Sequence, residues 1–159
     1  YSVCGGELAA QGRWDNGLSA RLTYAYTNEQ LAKDKDGNTI NNQYIPARKH
    51  AVNVRLDYDH DFTKNYGISA GISGRVLSGT ENVEYKNYYD VSQGTITVEY
   101  PAYTIWKLSL VQRIGKAVKV NAALDNLFGY KPKNYYLNSP ITDGITFQIG
   151  LSIEMEKLF

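Results

Sequence analysis

Cysteine is almost absent: Cys4 is the only one, which excludes an internal disulfide and a thiolate metal cluster. Ser2-Val3-Cys4-Gly5 has the outline of a lipoprotein cleavage site, but Val3 is large for its position and no apolar segment precedes it. Cys4 therefore reads as an incidental residue near a loop. No apolar run approaches the 18 residues that a membrane helix needs, which leaves open strands that cross with about 9–11 alternating residues each. Four prolines are too few for a Pro-rich linker, and a net charge of +1 gives no reason to expect a nucleic-acid partner. Phenylalanine is scarce at four, whereas tyrosine reaches fourteen. Tyrosine joins an apolar ring to a wet hydroxyl and suits boundaries between oil and water.

What is present is alternation. In the last run Ile145, Phe147, Ile149, Leu151, Ile153 and Met155 share one parity, and Thr146, Gln148, Gly150, Ser152 and Glu154 the other. Strict alternation means a strand with one apolar and one polar face. The same pattern predicts strands over 7–14, 18–27, 48–58, 66–76, 102–113, 118–125 and 144–155. No helix-period segment of useful length appears. The fold class is all-β: about seven antiparallel up-and-down strands of a transmembrane β-barrel, with 1–159 as one segment. Asp15-Asn16-Gly17, the stretch 59–65 and Ile114-Gly115-Lys116 read as short turns. The stretches 28–47, 77–101 and 127–143 read as long loops. Short and long connections alternate, as they do in outer-membrane barrels with short periplasmic turns and long outer loops.

Alternation does not say which face points inward. A soluble ligand-binding barrel turns its apolar face inside; a membrane barrel turns it out to lipid. Loop lengths favour lipid. So do Trp14, Tyr24, Tyr26, Tyr58, Tyr66 and Trp106, which stand on the apolar face near turns or loops, as membrane-interface aromatics do. The polar face, rich in Gly, Ser, Ala and Thr, suits a crowded lumen. An odd strand count with the C-terminus in the periplasm makes the chain the C-terminal piece of a larger barrel; one further strand would instead make a small eight-stranded one.

No catalytic constellation, metal cluster or cofactor motif is found. His50 and His60 are too far apart to cooperate. His50 is weighed as a haem-iron ligand and reads better as an interfacial histidine. Asp34-Lys35-Asp36-Gly37-Asn38 lacks the calcium-loop spacing and reads as a turn. Asp57, Asp59 and Asp61 read as a solvated turn. The candidate ligand-contacting residues lie in the long loops: Tyr85, Lys86, Tyr88 and Tyr89, then Tyr130, Lys131, Tyr135 and Tyr136, which combine stacking surface with charge.

Leu124-Asp125-Asn126-Leu127-Phe128, followed by a Tyr-containing loop, a Gly and a closing amphipathic strand, resembles the C-terminal end of TonB-dependent outer-membrane receptors. Gly6-Glu7-Leu8, the Asn-Gly turn with Leu22-Thr23-Tyr24-Ala25-Tyr26-Thr27, and Ile45-Pro46 before Lys49-His50 are similar to earlier parts of that family. The resemblance implies a location in the bacterial outer membrane and contact with the lipid bilayer. It implies the remaining barrel strands and a plug as partners, TonB acting through an N-terminal part not in this sequence, and the barrel assembly machinery. It further implies import of a scarce small-molecule ligand such as a ferric siderophore, haem, cobalamin or a glycan, and no enzyme activity. Phe159 matches the terminal aromatic of the assembly signal; Lys157 breaks the alternation before it, and Gly144-Ile145 stands where Gly-Arg is common. The alternative implied by the residues alone is a small autonomous outer-membrane barrel, adhesin or structural.

Overall fold

A computed structural model describes residues 2–30, 33, 35–37, 47–131 and 144–157. Seven strands form one antiparallel sheet. They are β1 (Ser2–Arg13), β2 (Leu18–Gln30), β3 (His50–Thr63), β4 (Tyr66–Leu77), β7 (Tyr103–Ile114), β8 (Val118–Asp125) and β9 (Thr146–Ile153). β5 (Thr80–Tyr85) and β6 (Thr95–Tyr100) form a separate hairpin between β4 and β7. The sheet order follows the chain, β1-β2-β3-β4-β7-β8-β9, and β1 and β9 remain unpaired edges rather than closing on one another.

The register carries the sequence alternation across the whole sheet. Leu22 faces Val54, Val54 faces Gly74, and Gly74 faces Trp106. Leu56 faces Ile72, Ile72 faces Leu108, Leu108 faces Leu124 and Leu124 faces Phe147. Every strand therefore contributes its apolar side chains to the same face. That face is not covered: Leu8, Leu108 and Ile149 are 73%, 43% and 72% exposed. Among the described residues only Leu77, Tyr100 and Ala117 are buried hydrophobics. A water-soluble domain stacks a second layer on its apolar face; among the described residues this sheet has none.

The short turns share one rim. Backbone bonds tie neighbouring ends together there: Asp59 N–H donates to Gly17 O at 2.9 Å, Gly115 N–H to Asn65 O at 2.7 Å and Glu154 N–H to Ala117 O at 2.8 Å. Gly17 is required on two counts. Its φ is +89°, and a side chain there would run into the Asp59 carbonyl. At the opposite rim Thr27 N–H donates to Lys49 O, Ser78 N–H to His50 O and Leu127 N–H to Trp106 O, each at 2.9 Å.

Three sequence expectations are corrected. The stretch 77–101 is not one open loop, because it contains the β5–β6 hairpin. The first of its strands carries Asn82 and Glu84 where the others carry apolar residues, and these face Val98 and Ile96 of the second, with the Tyr100 hydroxyl donating to Glu84. The turn placed at 59–65 shrinks to Lys64 and Asn65: Asp59 and Asp61 are strand residues opposite Ser69 and Gly67. The first strand starts at Ser2 rather than at 7, so Cys4, read as lying near a loop, stands inside β1 opposite Asn28. The turn expected in the first long connection is described at Lys35, Asp36 and Gly37, where Gly37 has φ +83°.

Candidate functional site

The interface aromatics fall into two tiers on the apolar face. At the long-loop rim Tyr24 and Tyr26 flank His50, with ring centroids 6.0 and 5.4 Å away, and the Tyr24 hydroxyl is hydrogen-bonded to His50 Nδ1 at 2.8 Å. His50 thus has an aromatic surrounding and a committed ring nitrogen. Trp106 stands near the same rim, its Nε1–H donating to Thr104 Oγ1 at 2.6 Å. At the short-turn rim Tyr58, His60, Phe62 and Tyr66 form a ladder with centroid steps of 5.9, 4.8 and 5.8 Å. Trp14 stands at the same rim, directly after β1. His60 belongs to this ladder and is separated from His50 by most of β3.

The long-loop rim carries the candidate ligand-contacting residues in two separate groups. Tyr85 and Lys86 close β5, and Tyr88 and Tyr89 stand at the hairpin tip, 70% and 95% exposed and edge-to-face at 5.8 Å. The tip is ordered from within. Lys86 N–H donates to Gly94 O at 3.0 Å, and Tyr89 N–H to Asn87 Oδ1 at 3.0 Å. Asp90 caps the 3-10 turn Val91–Gln93 by accepting from Ser92 N–H at 3.3 Å, and it also accepts from the Ser92 hydroxyl at 2.6 Å and from Gln93 Nε2 at 2.9 Å. Those hydrogen bonds, the Ser92 bond first, hold the Asp90 carboxyl below its ordinary range.

Tyr130 is in a different place, at the end of β8. Its ring stacks on Tyr103 with centroids 4.9 Å apart and planes at 12°, and the Arg48 guanidinium lies over the other ring, 4.7 Å from the Tyr103 centroid. Burial pushes the Tyr130 phenol above its ordinary value. Arg48 also donates to Ser78 O at 2.5 Å and to Pro101 O at 2.9 Å, the two legs on which the β5–β6 hairpin stands. Lys131 is exposed. Tyr135, Tyr136 and Phe159 lie outside the described residues.

The Asn126 motif residue explains the turn after β8. Asn126 is 2% exposed with φ +52°, the left-handed region that Asn tolerates best after Gly. Its Oδ1 accepts from Tyr130 N–H and its Nδ2 donates to Tyr130 O, both at 2.9 Å. One amide thereby closes the turn in both directions and aims Tyr130 at Tyr103.

The polar face holds the sheet's clefts. One of about 730 Å³ at the short-turn half includes Arg13, Asp57, Asp59, Asp61, Ser69 and Ser109 in its lining. Beside it Arg113 donates to both Asp59 and Asp61 at 2.7 Å, and to Ser69 Oγ. The expectation of a solvated turn at these aspartates is replaced by a cross-strand network spanning β3, β4 and β7. Gly67 on β4 makes room for it: a Cβ there would run into Asp61 Oδ1 and stand 2.7 Å from an Arg113 guanidinium nitrogen. The sequence held these charges on the right parity, but only the register brings residues so distant in the chain together.

Among the described residues no group of three or more His, Cys, Asp or Glu is placed to hold a metal ion. No curated protein matches the chain. Residues 4–127 match the family described as TonB dependent receptor-like, beta-barrel, most of the chain's 159 residues. The strand order, the uncovered apolar face and this match together place the chain in the TonB-dependent receptor-like β-barrel family.

Proposed function

We propose that residues 1–159 are a β-barrel segment of a bacterial outer-membrane receptor that imports a scarce ligand with energy delivered through TonB. The observation that carries this reading is the single seven-stranded sheet whose apolar face runs unbroken and uncovered through every strand, in a chain of this family. In lipid such a face needs no second layer, and its backbone groups are satisfied between strands. The aromatic tiers support the same reading. From His50 to His60 along β3, at about 3.3 Å per residue, is roughly 33 Å; a tilt of about 40° projects it to about 25 Å, the height of an outer-membrane apolar band. Trp14, Tyr24, Tyr26, Tyr58, Tyr66 and Trp106 then anchor the two interfaces.

Unpaired strand edges do not persist in lipid, so β1 and β9 are completed by further strands of the same receptor. The polar face lines the lumen, where a plug would sit, and the clefts on that face support its being the concave side. An inside-out soluble barrel would have them on the apolar face. The barrel assembly machinery would insert the chain. The hairpin tip with Tyr85, Lys86, Tyr88 and Tyr89, together with Tyr130, Tyr135 and Tyr136, contacts the ligand, which is of the ferric siderophore, haem or cobalamin class. The chain's role is transport rather than catalysis.

The test is uptake in cells carrying the intact receptor, with and without TonB, using labelled ferric siderophore, haem and cobalamin. One of these should accumulate only when receptor and TonB are both present. Tyr88→Ala combined with Tyr89→Ala should lower that uptake at least several-fold at equal surface abundance. TonB-independent accumulation, or no accumulation of any of the three, would contradict the proposal.

A further inference from the structure

Arg48 is half-buried at the long-loop rim, just before β3. Its Nη1 donates to Ser78 O at 2.5 Å and to Pro101 O at 2.9 Å. Ser78 stands between β4 and β5, and Pro101 between β6 and β7, so one nitrogen holds both ends of the hairpin. The guanidinium carbon lies 4.7 Å from the centroid of the Tyr103 ring, and Tyr103 opens β7. Tyr130 stacks on that same ring at 4.9 Å. Asn126 in turn fixes the backbone of Tyr130. One series of contacts therefore runs from the hairpin base through Arg48 and Tyr103 to Tyr130. It lies among β3, β4, β7 and β8, so strands added at the β1 and β9 edges do not displace it. The backbone just after Arg48 is tied on either side: Thr27 N–H donates to Lys49 O, Ser78 N–H to His50 O, and His50 N–H to Ser78 Oγ at 3.1 Å.

The hairpin above this base is stiff. Its strands pair without a break from Thr80 opposite Tyr100 to Tyr85 opposite Thr95. Tyr100 is 5% exposed, and its hydroxyl donates to Glu84 Oε1 at 2.7 Å. From Thr80 to Tyr85 is roughly 17 Å at about 3.3 Å per residue, so a tilt of about 10° at the base carries the far end about 3 Å. A binding constellation tolerates far less than that. We propose that Arg48 is a positioning residue: it sets the angle of the β5–β6 hairpin against Tyr130, so that the hairpin tyrosines and Tyr130 present one fixed surface. Arginine suits this place because its planar head offers a face to the ring and edge N–H groups to the carbonyls; a lysine ammonium has no face. The fixed angle follows from the contacts alone. That the surface meets a ligand rests on the importer reading.

The experiment is a pulsed electron-spin distance measurement on the intact receptor in lipid vesicles, with no ligand added. Spin labels go on Val91→Cys at the hairpin tip and Lys131→Cys beside Tyr130, both exposed, in a Cys4→Ser background. With Arg48 in place a single narrow distance is expected. Arg48→Gln and Tyr103→Ala should at least double the width of the distribution. Arg48→Lys keeps the charge and loses the planar head, and should widen it as well. Tyr103→Phe keeps the ring, and Arg113→Gln alters a network at the other rim; both should leave the distance narrow. Should Arg48→Gln or Tyr103→Ala fail to fold, Arg48→Lys against Tyr103→Phe decides. A broad distribution with Arg48 in place, or an unaltered width in Arg48→Lys, would overturn the proposal. In cells, Arg48→Lys should also raise the half-saturating concentration several-fold, at unchanged maximal rate, for whichever of labelled ferric siderophore, haem or cobalamin accumulates. A widened distance with unchanged half-saturation strikes the ligand-contact reading of the tyrosines alone. An unaltered width, with uptake lost in Tyr88→Ala combined with Tyr89→Ala, strikes this proposal alone.

Discussion

The indole of Trp106 lies flat over Gly74 on the facing strand: a Cβ built on Gly74 would stand 2.5 Å from the ring. Gly74 gives β4 no side chain on the apolar face, and the indole fills the space from β7. Gly74→Val should therefore displace the ring and cost about 1–3 kcal/mol, the usual range for overpacking. Urea unfolding of the receptor in lipid vesicles would measure it, with Trp106 fluorescence as the local report. An unchanged midpoint and spectrum would mean that the ring contact is not part of the folded state.

Asn126 should be the least replaceable polar residue of the closing strands. It is buried, holds a left-handed backbone and bonds Tyr130 in both directions. Asn126→Ala loses those bonds and keeps the strained φ, at an expected cost of about 1–3 kcal/mol. It should also loosen the ring stack of Tyr130 on Tyr103. Aromatic NMR shifts of the two tyrosines, or a drop in melting temperature, would report both effects.

The reach of the sequence is clearest at these two sites. Apolar parity places Trp106 on the same face as Leu108 because alternation is a local property of each strand. That Trp106 meets Gly74, or that Arg113 meets Asp59 and Asp61, depends on register, and one strand's pattern does not encode its neighbour's offset. β5 is hidden for another reason: Asn82 and Glu84 stand at its inward positions, so it lacks the apolar alternation that β6 shows in Ile96, Val98 and Tyr100, and six residues of β6 alone do not declare a partner strand. Tyr85, Lys86, Tyr88 and Tyr89 were legible as loop residues joining aromatic surface to charge, but not as the outer end of a hairpin pinned at its base by Arg48.

The hairpin tip should respond to acid. Asp90 is held below the ordinary carboxylate range by hydrogen bonds from Ser92 and Gln93. A depressed folded-state value means that its contribution is present above the unfolded carboxylate range, and is lost as pH falls through the folded value. Amide exchange at Ser92 and Gln93 should accelerate over that acid window and not between pH 6 and 8. Asp90→Ala should exchange fast at every pH. A wild-type tip whose exchange, corrected for intrinsic rate, is flat through acid would remove Asp90 as its organiser.

Arg113 joins three strands, but its carboxylate partners are largely exposed, 66% and 72%. Exposed pairs contribute about 0–1 kcal/mol each and are screened by salt. Arg113→Gln should accordingly cost only about 1 kcal/mol in denaturant titration, and less at high salt. A loss of several kcal/mol, independent of salt, would place this network in a water-excluded setting instead.

In the proposed membrane setting one face of this sheet meets lipid and the other meets water. β9 tests it most directly, because Phe147, Ile149, Leu151 and Ile153 alternate with Thr146, Gln148, Gly150 and Ser152. Single cysteines placed at each of these positions in a Cys4→Ser background of the intact receptor, then labelled with a fluorophore in vesicles, can be quenched by brominated lipid or by aqueous iodide. A strict two-residue period is expected: lipid quenching at 147, 149, 151 and 153, and none at their neighbours. Water-soluble quenching at the odd positions, or odd positions closed to both quenchers, would contradict it.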